Sequence, residues 1–391
     1  MRTYEQTHPW LNFGLDLNRF TSGMWMSLGE AKSKCEHVAG VPLRPDLARK
    51  MSLISMAKGI HATTSIEGNT LTEEEVARRI DKKLELPESR EYLGREVDNL
   101  VGACNRIATE IDAGFSKPLN VDRIKEYHRV ILSGLNVPED VRVGEFRTYS
   151  VGVARYRGAP AEDCEYLVDR LCSWLSGPEF KSDQPQLAFA LVIIKAILAH
   201  LYIAWIHPFG DGNGRVARLV ELEILVQSGL IAFPSGHLLS NFYNRTRGDY
   251  YLHLDRASKS PDGVTQFIAY AVGGFVDELR EEIDMIKNQF LQYSWENYVH
   301  EQFRGQDTTA AHRRRHLALD LSDRGVVPRK KLTLITPRTA RDYARCGEKT
   351  LTRDLNKLVE MNLVVSTPRG YQANRAMMLA FLPRRAESTV S

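Results

Sequence analysis

The chain has 391 residues, 43% of them hydrophobic and 26% charged, with a net charge of +3. That length predicts two or three domains. The balance excludes a disordered, collagen-like or coiled-coil chain. Five scattered cysteines, at 35, 104, 164, 172 and 346, show neither metal-ligand spacing nor a disulfide framework, which points to a reduced, cytoplasmic compartment. No basic start leading into an apolar stretch marks a secretory signal at the beginning. The charge is unevenly spread: residues 311–391 hold 17 Lys/Arg against 7 Asp/Glu, while the remainder holds 35 against 42, so the last segment reads as a separate module.

In chain order, residues 1–60 mix helical patterning with turn signals and carry no nameable chemistry. Helical periodicity predicts helices over Leu47–Ile66, Tyr92–Ile111 and Val121–Leu132. After the Gly68-Asn69 stop, Thr72 followed by three glutamates predicts a capped helix start. Gly144–Pro160 has a β-like run and a Gly158-Ala159-Pro160 breaker, predicting a small hairpin or flap. Helices then follow over Ala161–Leu175, Pro185–Trp205, Gly214–Gln227, Arg247–Ala257 and Val264–Gln292. The apolar run Ala188–Ile206 is interrupted by Lys195 and His200 and reads as a buried helix, so no membrane partner is expected. Beyond a polar stretch near residue 305, three short helices, a strand, a Pro368-Arg369-Gly370 tip and a second strand make a winged helix-turn-helix pattern. The expected fold is mainly α: a helical core with a small β-hairpin flap and that winged module. The expected divisions are an N-terminal helical region (1–120), a core (121–290), a linker helix (291–310) and the module (311–391).

The chemistry concentrates in His207-Pro208-Phe209-Gly210-Asp211-Gly212-Asn213-Gly214-Arg215, with Arg218 one turn on. Pro208 prevents regular continuation of the preceding helix. The glycines allow tight turns and close backbone approach. A new helix starting near Asn213 offers free N–H groups and its dipole to an anion. Arg215 and Arg218 project from its first turn and can each grip a phosphate. Asp211 can hold Mg²⁺ against phosphate oxygens. His207, titrating near neutrality when unperturbed, suits a general base.

This passage resembles the Fic family signature, H-x-F-x-(D/E)-G-N-G-R-x-x-R, at every specified position. The resemblance extends over roughly residues 40–290. It implies a protein adenylyltransferase that moves AMP from ATP onto a Ser, Thr or Tyr hydroxyl of a protein target, itself included. On that resemblance His207 takes the hydroxyl proton and Asp211 holds Mg²⁺. Gly212, Asn213 and Gly214 form the anion hole, Arg215 binds the β-phosphate and Arg218 the γ-phosphate. Val151, Val153 and Tyr156 fall on the target-docking flap, and Tyr250 and Tyr251 line the adenine pocket. Thr63-x-x-x-Glu67-Gly68 resembles the family's inhibitory motif, in which Glu67 would pair with Arg218 and displace the γ-phosphate. Removal of AMP from a modified protein and a nucleotide-sensing DNA-binding regulator stay open as alternatives. Partners of the terminal module, DNA or protein, stay open too, as does a homodimer.

Overall fold

The computed structural model describes residues 2–115, 117–153 and 156–379. It divides into two compact units, 1–283 and 284–391. Both are built of helices, and the strands among the described residues form one two-stranded antiparallel hairpin in each.

The first unit starts with α1 (Thr3–Thr7), α2 (Ser22–Gly40), α3 (Pro45–Ile66), α4 (Glu73–Ile80), α5 (Glu91–Asp112) and α6 (Val121–Ile131). The predicted cap at Thr72 is a complete capping box: Thr72 Oγ1 accepts from Glu75 N–H, and Glu75 accepts from Thr72 N–H at 2.8 Å. The hairpin β1 (Gly152–Val153) and β2 (Tyr156–Arg157) follows, in the register Gly152↔Arg157 and Val153↔Tyr156. Then come α7 (Cys164–Leu175), α8 (Pro185–Ile206), α9 (Asn213–Gln227), α10 (Leu238–Arg245) and α11 (Arg247–Ala257). The first two helices and α10 escape the sequence pattern. They are short or weakly amphipathic and gain their shape from packing on the core.

α8 is apolar on every side, with a mean hydropathy of 2.3 in its most apolar window, and it is mostly buried. A helix hydrophobic all round belongs at the centre, with other helices laid on it. α2, α7 and α9 do so here. Its lone buried histidine, His200, sits in a closed polar network. Nδ1 lies 3.1 Å from Glu221 Oε2 and Nε2 lies 2.9 Å from the Tyr250 hydroxyl, while Tyr243 donates to Glu221 Oε1. The network ties α8, α9, α10 and α11 together.

A second buried cluster fixes α9 from the other side. Arg123 of α6 donates to Glu223 of α9 at 2.8 Å and to Glu110 of α5 at 2.6 Å, with its guanidinium over the Tyr127 ring. Those two carboxylates behave differently. Glu110 is held down to about 2: burial pushes it up, but Arg123 and Lys117 outweigh that, whereas burial raises Glu223. A buried cation removed from such a cluster leaves uncompensated charge behind.

α12 (Gly263–Gln302) starts in the first unit and runs ten residues past the predicted Gln292 end. The second unit continues with α13 (Thr309–Asp320), α14 (Pro337–Tyr343) and α15 (Glu348–Glu360), then β3 (Val364–Thr367) and β4 (Gly370–Ala373). Its own core gathers Trp295, Val299, Leu317, Leu332, Leu355, Leu358 and Leu363. A bridge between Val327 and Tyr371 adds a third chain segment beside the hairpin.

Arg123→Ala is expected to destabilise the first unit by about 3–5 kcal/mol in urea unfolding, since it strands Glu223 in the core. A loss under about 1 kcal/mol would show that the cluster does not hold α9.

Candidate anion-binding and proton-transfer site

The site begins where α8 stops. His207 takes a left-handed conformation (φ 50°, ψ 57°), which costs a non-glycine residue about 1–2 kcal/mol. Its N–H still reaches Ile203 O at 2.9 Å, and Pro208 then ends the helix. A residue held this way needs support, and Arg147 provides it. Its backbone N–H donates to Pro208 O (3.0 Å), and its guanidinium donates to the carbonyls of His207 (2.7 Å), Tyr149 (2.6 Å) and Ala159 (2.5 Å). One buried cation thus fastens the hairpin segment to the His207 loop.

The imidazole of His207 is half-buried, with Nδ1 3.3 Å from Ala204 O. That partner favours the tautomer with its proton on Nδ1, leaving Nε2 as the acceptor. Burial, helped by the charge of Arg147, lowers the group to about 4, so it is neutral at pH 7. The carboxylates of Glu67 and Asp211 act on it in the opposite sense, which places all three groups in one electrostatic neighbourhood.

The loop to α9 is braced from below. Phe209 is fully buried and stacks on the His128 ring at 3.8 Å and 5°. His128 accepts from Gly144 N–H through Nδ1 (2.8 Å), so its Nε2 carries the proton and donates to Asp211 O at 3.0 Å. Asn213 closes the turn with a pair of bonds to the Phe209 backbone, 2.9 and 2.8 Å. Gly212 caps α9 at φ 75°, a conformation that suits glycine. The first α9 N–H with a backbone acceptor is that of Val216, to Gly212 O, so the Asn213, Gly214 and Arg215 N–H groups stay open at the positive end of the helix.

An anion of the chain itself lies over that end. Glu67 caps α3, and its Oε1 accepts from Arg218 Nη2 at 2.5 Å. The same oxygen is so close to Gly214 that a Cβ there would collide with it. Burial pushes the Glu67 carboxyl up, but Arg218 outweighs burial and holds it below its usual range. Arg218 also donates to Thr63 O at 3.1 Å, from the other end of the same Thr63–Glu67 segment. Arg215 is engaged likewise: Nη1 donates to Glu96 at 2.6 Å and Nη2 to Asp211 Oδ1 at 3.1 Å. Yet Arg215 Nε and Arg218 Nε have no hydrogen-bond partner among the described residues, and both arginines line a small cavity with Thr63, His237 and Ser240. Two buried guanidiniums, open helix N–H groups and a seated carboxylate describe an anion site with its own stopper.

The predicted residues therefore converge, with differences in the flanks. His207, Asp211, Gly212, Asn213, Gly214, Arg215, Arg218 and Glu67 come together. Tyr250 is buried, its hydroxyl joined to His200, whereas Tyr251 is 43% exposed. Tyr156 turns its hydroxyl inward to Trp205 O at 2.9 Å, Val151 O accepts from Gly158 N–H, and Val153 lies on β1. Sequence reading missed Arg147, His128 and the pair Glu96–Asn69. Asn69 Nδ2 donates to Glu96 Oε2 at 2.8 Å, linking the turn after Glu67 to the carboxylate that holds Arg215. Each lies far from the signature in sequence, and only the fold brings it near.

The structure thus sets an open helix start beside a neutral imidazole, on a bundle around one apolar helix. Residues 118–225 match the model of the Fic/DOC family. The Protein adenylyltransferase Fic of Nematostella vectensis is 30% identical over 199 residues, 51% of this chain and 42% of that protein. The Protein adenylyltransferase fic-1 of Caenorhabditis elegans is 28% identical over 204 residues, 51% of this chain and 36% of that protein. The chain thus spans about two fifths of the length of the curated relatives it matches. Among solved structures, a Fic family protein from Desulfovibrio desulfuricans G20 covers 90% of this chain and 97% of its own, at TM-score 0.54 and 21% identity. A Fic-1 structure from C. elegans covers 68% and 72%, at TM-score 0.55 and 22% identity. At these identities the structural likeness shows the fold.

His128, His207 and His237 are each lowered to about 4 from an ordinary 6.5, chiefly by burial. Between those values the unfolded chain binds more protons than the folded one. Their contribution to stability is therefore complete above pH 6.5 and is lost as pH falls toward 4. Urea midpoints measured from pH 7.5 to 4.5 are expected to fall, with His207→Gln removing about one proton from the linkage. A stability independent of pH in that window would contradict the neutral assignments.

Proposed function

We propose that the chain is a protein adenylyltransferase that transfers AMP from ATP to a Ser, Thr or Tyr hydroxyl of a protein target and is held at low activity by Glu67. The observation that carries this reading is the Glu67 carboxylate seated against Gly214 and Arg218. An acidic side chain at an open helix start stands where a phosphate would bind.

The residues divide the work. The open N–H groups of Asn213, Gly214 and Arg215 stabilise the negative charge of the α-phosphate as it becomes five-coordinate. Arg215 and Arg218, each with an unpartnered Nε, take the β- and γ-phosphates once their carboxylates yield. His207 Nε2 receives the target hydroxyl's proton as its oxygen bonds to the α-phosphorus. The bond from that phosphorus to the bridging oxygen breaks, and pyrophosphate leaves with the electron pair. An imidazole lowered to about 4 is a weak base but is unprotonated throughout the physiological range, so no active fraction is lost to protonation. Arg147 keeps the imidazole aimed and fixes the hairpin beside it, where an extended target segment could add as a strand.

Mg²⁺ fits one carboxylate here. Asp211 is 43% exposed, its carbonyl is fixed by His128, and its Oδ1 is shared with Arg215 and Gly212 N–H. A cation bound mainly by phosphate oxygens and water needs one such ligand and would neutralise phosphate charge. Asp211 would hold it after releasing Arg215. The free cysteines agree with a cytoplasmic setting.

The test uses wild type, Glu67→Gly and Glu67→Gly/His207→Ala with α-labelled or γ-labelled ATP and Mg²⁺. The expected result is α-label on protein, raised about tenfold or more by Glu67→Gly, a step of some 1.4 kcal/mol in the barrier, and abolished with His207→Ala. Transfer of γ-label, or α-label transfer independent of His207, would overturn the assignment.

A further inference from the structure

The second unit presents a helix face that the adenylyl-transfer reading leaves unused. α15 buries Leu351, Asp354, Leu355 and Leu358, so its outer face carries Lys349, Thr352, Arg353, Asn356 and Lys357. Two cations from other elements join it. Arg314 of α13 lines the same shallow groove, and Arg329 Nη2 donates to Thr352 Oγ1 at 2.6 Å.

Most of the charge on this face is surplus. Arg314 is paired, since Asp354 accepts from it and from Arg313 at 2.7 Å each, and Asp320 is committed to Arg338. Arg338 is therefore engaged inside the unit. Lys357 has Glu360 beside it at 2.7 Å, but both are exposed and such a pair is weak. Arg329, Lys349, Arg353 and Arg369 make no ion pair among the described residues. Arg369 is exposed at the tip of the β3–β4 hairpin, beside the Thr367↔Gly370 pair.

We infer that this face binds duplex DNA, with α15 entering the major groove. A helix of 13 residues is about 20 Å long and its width suits that groove. The cations frame two uncharged residues: Thr352, whose hydroxyl donates to Glu348 O and accepts from Arg329, and the exposed Asn356, whose amide can both donate and accept. Phosphate contacts at the edges and base-edge contacts at the centre are the two halves of groove recognition. α14 precedes α15 across a four-residue turn, and the hairpin follows it, as a winged helix-turn-helix requires. The outer face is polar from Lys349 to Lys357, and Val359, one turn beyond Asn356, is a single exposed apolar side chain there, a small anchor for a protein partner.

The experiment is fluorescence anisotropy of the full chain with a labelled mixed-sequence duplex of roughly 20 bp, two helical turns, across a salt series. Lys349→Ala/Arg353→Ala is expected to weaken binding about tenfold and to lower the slope of log K against log salt by about two. Both side chains are exposed, so the thermal midpoint should hold and loss of fold is read separately. The inference is overturned if wild type fails to bind duplex at low salt, if the double variant binds as wild type, or if a polyglutamate peptide competes as well as unlabelled duplex. The last outcome would assign the face to an acidic protein.

Discussion

The first unit turns on one contact, the Glu67 carboxylate against Arg218 and the backbone of Gly214. A helix start with open N–H groups is an unfavourable place to leave bare, and a buried guanidinium more so. Glu67 pairs with the guanidinium, lies over the helix start, and stays ionised because Arg218 lies beside it. The same placement makes it a competitor of any incoming phosphate. Stability and restraint therefore come from one side chain.

The second arginine is restrained in parallel. Glu96 engages Arg215, and Asn69 engages Glu96 from the turn immediately after Glu67. The turn after α3 thus touches both arginines at the start of α9, one through Glu67 and one through Asn69 and Glu96. Against these held groups stands His207, fixed in a costly backbone conformation by Arg147 and kept neutral by burial. On the proposed function the site is preorganised for proton transfer, and phosphate enters only when Glu67 and Glu96 yield their arginines.

Much of this was legible in the chain because a helix start, its glycines and its arginines must be contiguous to work as a unit. Residues 207–218 carried their chemistry in their spacing. Glu67 was legible through a short motif. Arg147 was not, since a buried arginine that fans out to four carbonyls looks in sequence like any surface arginine. His128 was hidden for the same reason: its value lies in stacking on Phe209 and bonding to Asp211 O. Tyr250 shows the limit from the other side, as its hydroxyl closes the polar network around His200. The C-terminal helices and hairpin were visible from period and turn residues. Which cations stay unpaired there depends on partners far off in sequence, as Arg338 and Asp320 show.

The most direct measurement is the ratio of ATP to ADP affinity by calorimetry in the non-transferring His207→Ala chain, with and without Glu67→Gly. With Glu67 in place Arg218 is occupied, and the third phosphate should add little, giving a ratio near one. Without it, a charge-assisted contact to the third phosphate should raise the ratio about tenfold or more. A ratio unchanged by Glu67→Gly would contradict the claim that this carboxylate stands in the place of a phosphate.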